Sequence, residues 1–103
     1  MTDHTFIPEL NVDVPNDGTL SKVVFKNDRV RIVVFGFDTD QELTDHTASM
    51  PAIIQVISGK ARLTLGADVV EAAPGSWTYM PAGLTHAVYA IEPTVMLLTL
   101  LRD

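Results

Sequence analysis

A chain of 103 residues with a formal net charge of −6, 47% hydrophobic residues and no cysteine is bounded on several sides at once. The length suits one core; the missing cysteines exclude disulfides, thiolate metal ligands and cysteine nucleophiles; and seven scattered basic residues argue against nucleic acid. No apolar run reaches membrane-spanning length and Met1-Thr2-Asp3-His4 does not begin a leader, so a cytoplasmic protein with no membrane partner is expected.

In chain order, residues 1–19 read as an N-terminal arm and edge strand anchored by Phe6 and Ile7, and 20–103 as a barrel, the whole forming one domain. Pro15-Asn16-Asp17-Gly18 is a turn by its chemistry. Leu20–Phe25 and Arg29–Phe37 form a hairpin about Asn27-Asp28. In its second strand Val30, Ile32 and Val34 share one face, while Arg29 and Arg31 open the other before Val33 and Phe35 fill it. The segment from Asp38 to Met50 is polar and holds His46.

Ala52–Ile57 is strongly β, Ser58-Gly59 turns it, and Ala61–Leu65 alternates. Val69–Ala72 is short; Pro74-Gly75 leads into Ser76–Met80, where Trp77 and Tyr79 share a face suited to core or subunit packing. Pro81 ends that strand, Gly83 permits the reversal, and His86–Ala90 follows. Val95–Leu101 is apolar on both faces, which predicts burial against a core and against a second subunit, hence a homodimer. No window shows helical periodicity, so the fold class is all-β, in short strands separated by turns.

The spacing Gly75, Pro81, Gly83, His86 resembles the second signature motif of the cupins, with Ala90 where asparagine is usual. Against the first motif His46 matches the leading histidine and Gly59 the closing glycine, while Asp40 replaces the opening glycine. The resemblance spans about Asp40 to Ala90. It implies a small RmlC-like jelly-roll, the double-stranded β-helix barrel of two facing antiparallel sheets.

In metal-binding cupins two histidines and a glutamate of the first motif and the histidine of the second hold the metal. Here the second histidine position is Ala48 and the glutamate position is Ala52, leaving His46 and His86. Those two are the candidate ligands for one divalent transition metal: zinc, nickel, iron or manganese. In a regular strand Glu42 shares a face with His46 but stands about 13 Å along it, and Asp45 points to the other face. A bulge would change that parity.

The two alanines also open space on the inward face. The expected ligand pocket is lined by Thr44, Ala48, Met50, Ala52, Ile54, Met80 and Val88, with His46 and His86 on facing strands at its mouth. The resemblance therefore implies a barrel binding a small organic ligand, with or without a metal. Its alternatives are a metal-dependent enzyme of the dioxygenase or isomerase kind and a non-catalytic dimeric sensing or scaffold protein.

Overall fold

The structure, a computed structural model, describes residues 3–102, with 45 and 46 as backbone only. Its nine strands are β1 (Thr19–Lys26), β2 (Val30–Phe37), β3 (Glu42–His46), β4 (Ala52–Ser58), β5 (Ala61–Leu65), β6 (Asp68–Ala72), β7 (Trp77–Met80), β8 (His86–Ala90) and β9 (Thr94–Leu101). They form a five-stranded sheet, β1-β2-β9-β4-β7, and a four-stranded sheet, β3-β8-β5-β6, with antiparallel pairing throughout. This is the expected all-β jelly-roll barrel of two facing sheets. The polar segment after Phe37 contains a strand, β3, which hydrophobic alternation does not mark.

Alternation decides what faces inward. On β4 Ala52, Ile54 and Val56 are buried, and on β8 His86, Val88 and Ala90. The inner faces meet in one core that includes Phe37, Ile54, Leu63, Met80, Val88 and Met96, with Phe35, Leu43, Leu65, Leu84, Leu98 and Leu100 packed at its margin. Phe35 and Phe37, two apart on β2, stack with ring centroids 5.7 Å apart.

The outer face of the larger sheet has its own apolar cluster. Val34, Val95 and Leu97 are buried there beneath Leu10, Val12 and Val14 of the N-terminal arm. The second apolar face of β9 is thus covered from within the chain. Residues 3–18 form no strand, so the expected edge strand does not exist; Phe6, its supposed anchor, is 76% exposed. The arm attaches through side chains instead of a ladder. It runs so close to β2 that a Cβ on Gly36 would stand 3.0 Å from Val12 Cγ1.

Turn chemistry closes the ends. Asn27 Oδ1 accepts the N–H groups of Arg29 (2.8 Å) and Val30 (2.9 Å), which sets the β1–β2 hairpin. At the other end of β2, Asp38 accepts from the Asp17 N–H at 2.7 Å and the Thr39 N–H at 2.9 Å. Those two bonds hold its carboxyl below the ordinary aspartate value. Between β4 and β5, Gly59 takes φ +85°, and a Cβ there would stand 2.1 Å from the Pro93 carbonyl. Among the described residues no helix is long and apolar enough to cross a membrane.

Candidate functional site

Two connections of five residues, 47–51 between β3 and β4 and 81–85 between β7 and β8, bring one end of each sheet together. The Gly83 N–H donates to the Ala48 carbonyl at 2.9 Å and ties these loops to each other. Gly83 adopts φ +83°, where a side chain would be strained. The barrel mouth is built here, and His86 is the first residue of β8 below the rim.

The register of the smaller sheet stacks its inward residues in rows. Leu43 pairs with Val88, and Val88 with Leu63; one step towards the mouth, His46 pairs with His86, and His86 with Leu65. From Val88 to His86 is two residues, whereas from Leu43 to His46 is three. The extra residue is a β-bulge, and without it Asp45 would stand opposite His86. The two histidine positions are therefore neighbours on adjacent strands of one sheet. That corrects the expected placement on facing strands: in strand order β3 lies beside β8.

The bulge also revises the pocket. Leu43 packs against the core, while Thr44 beside it is exposed and does not line the interior. Glu42 pairs with Tyr89 on the row beyond Leu43, so it no longer shares a face with His46. Ala52, Ile54, Met80 and Val88 do face inward, but each is only 1–2% exposed within the packed core. Ala48 and Met50 are half-buried in the 47–51 connection. The deep interior is filled at those four positions. Trp77 and Tyr79, expected to pack in the core or against a second subunit, are 59% and 49% exposed within one chain on the outer face of β7, so they are not core.

His86 is 6% exposed, and its Nδ1 lies 3.0 Å from the Leu84 carbonyl. A carbonyl only accepts, so Nδ1 donates to it and the bond fixes the orientation of the ring. Leu65, the register partner of His86 on β5, and Leu84, two residues before that histidine, are half-buried and pack against the core.

A metal centre needs more. Among the described residues no three His, Asp or Glu side chains gather closely enough to hold an ion, and no buried polar side-chain atom lacks a partner. The His46 side chain lies outside the described residues. With alanine at 48 and 52, the donor set does not fit a three- or four-ligand metal site.

On the outer face of the smaller sheet a second polar group forms. The Tyr89 hydroxyl donates to Asp40 Oδ1, and Arg62 lies over the Tyr89 ring, 5.4 Å from its centroid. The Asp40 bond raises the Tyr89 phenol above its ordinary value. This network ties the connection before β3 to β8 and β5.

No protein-family model and no curated protein matches the chain. Solved structures do. A conserved protein of unknown function from Streptococcus pyogenes is 32% identical with a TM-score of 0.82, over 88% of this chain and 80% of that one. A cupin superfamily protein from Desulfitobacterium hafniense is 22% identical with a TM-score of 0.84, over 89% and 84%. An RmlC-like cupin from Desulfovibrio desulfuricans is 24% identical with a TM-score of 0.79, over 98% and 96%.

Proposed function

We propose that this chain, whose fold is that of the RmlC-like cupins, binds a small organic molecule at the barrel mouth. His86 is the polar contact, and Leu65 and Leu84 are the walls. The observation that carries this is a buried histidine, 6% exposed, at the open end of an interior in which Thr94 is the one other buried polar side chain among the described residues. Its Nδ1–H is committed to the Leu84 carbonyl, so the ring is fixed before a ligand arrives and little order is lost on binding. Filled positions at Ala52, Ile54, Met80 and Val88 favour a ligand that sits at the rim rather than in the barrel's depth. Screening fragments by amide and methyl NMR tests it. Binders should shift Leu65, Leu84 and His86 and lose affinity in His86→Ala; binders that shift only the arm would overturn it.

The register pairing of His46 with His86 supports a second reading, a divalent metal held by two imidazoles and completed by water or the ligand itself. Such a half-site binds weakly, which favours a binding protein over a dioxygenase or isomerase.

A homodimer is proposed as well. Trp77 and Tyr79 on β7 and Ile57 on β4 are exposed on the outer face of the larger sheet, with no charged residue on the outward positions of either strand. A second copy meeting this face about a two-fold axis would cover both patches at once.

A further inference from the structure

We propose that the molecule bound at the mouth is an organic anion, an amphipathic carboxylate whose charged end is met by Arg31 and Lys26. This rests on the mouth being a small-molecule site, and it names the class of ligand.

The larger sheet supplies the observation. Along β2, Phe37 belongs to the core beneath the sheet and Phe35 packs against it; Arg31 continues the same alternating series towards the open end. Its register partners are Leu100 on β9 and Lys26 on β1. Beyond Leu100 the row runs on through Ala52 to Met80, which the 81–85 connection joins to His86. Arg31 and Lys26 therefore stand at the same end of the barrel as His86, on the opposite sheet, across a gap of roughly 10 Å between stacked sheets.

Two cations directly opposite each other on one sheet face repel, and a strand pair does not keep such a pair without loss. Among the described residues neither has a carboxylate partner. Arg29 and Arg102 lie just beyond, joined by the Arg102 N–H to the Arg29 carbonyl at 2.7 Å. Four of the seven basic residues of an acidic chain thus collect at this end of β1, β2 and β9. An anion placed between Arg31 and Lys26 relieves their repulsion, and the planar guanidinium matches a carboxylate through two parallel hydrogen bonds. Behind that end the leucine walls and His86 receive the uncharged remainder. Apolar body, one polar contact and an anionic head describe a small carboxylic acid.

The test pairs acids with their uncharged isosteres. Benzoate and 4-methylpentanoate are titrated against benzamide and 4-methylpentanamide by amide NMR, on the parent, Arg31→Gln, Lys26→Gln and Arg31→Lys. Expected are shifts at Leu65, Leu84 and His86 with the acids, weakening with added salt, a loss of about tenfold in Arg31→Gln and a smaller one in Arg31→Lys. Both positions are exposed, so the variants should keep the parent spectrum elsewhere. Equal binding of acids and amides, or no loss in Arg31→Gln, overturns the anion while leaving the mouth as a site. If none of the four compounds shifts a mouth residue, both readings fall together.

Discussion

His46 and His86 stand opposite each other across β3 and β8 because β3 carries one residue more than its partner between them. The family's motif spacing survives in a chain that has replaced the other two ligands, and the bulge keeps the two remaining histidine positions in register. On the second reading proposed above, histidines at these two positions would supply two ligands of a metal site.

That arrangement predicts weak metal uptake. Zinc, nickel and iron(II) titrated by calorimetry should bind the parent far less tightly than a complete three- or four-ligand site would, and His86→Ala should abolish what there is. His86→Ala should stay folded, at a loss of about 1 kcal/mol for the hydrogen bond to Leu84, read from urea denaturation. Tight stoichiometric metal retained after dialysis against a chelator would revive the enzyme reading.

The arm should act as part of the core. Removing residues 3–14 uncovers Val34, Val95 and Leu97 and should lower stability by on the order of 3–6 kcal/mol, an upper estimate from area. Gly36→Val forces a side chain against Val12 and should cost about 1–3 kcal/mol in the full chain. In the truncated chain that penalty should vanish, and the double-mutant cycle measures the contact. Additive losses would mean the arm does not lie over β2 in solution.

Asp38 contributes to stability through its ionised form. Its folded value is depressed, so the contribution is whole above the unfolded aspartate value, near 3.9, and is lost as pH falls through the lower folded value. Melting temperatures of the parent and Asp38→Ala should differ at neutral pH and converge only as pH falls through the depressed folded value. A constant gap down to pH 2 would rule out the carboxylate as the source.

The dimer is read from mass by light scattering at micromolar concentration, where the parent should give twice the monomer value. Trp77→Lys or Tyr79→Lys should restore the monomer without unfolding it, since both side chains are largely exposed within one chain. A monomeric parent leaves that face without a partner.

Much of this molecule is local and so was legible in the sequence. The β1–β2 hairpin, the alternation of β4, β5 and β8, and the turn from Met80 to His86 follow from residue types over a few positions, because pleat and turn geometry are short-range. The inward series on β2, ending at Arg31, could be read by the same parity. What the sequence could not decide is non-local. β3 is too polar to announce itself and is held by pairing with β8; its bulge, which sends Leu43 inward and Thr44 outward, exists only against that partner strand. The outer face of β9 looked like an interface because nothing in Val95–Leu101 says that Leu10, Val12 and Val14, eighty residues earlier, will cover it. Alternation assigns a side chain to a face, but which strand, arm or ligand meets that face is settled by packing across the whole chain.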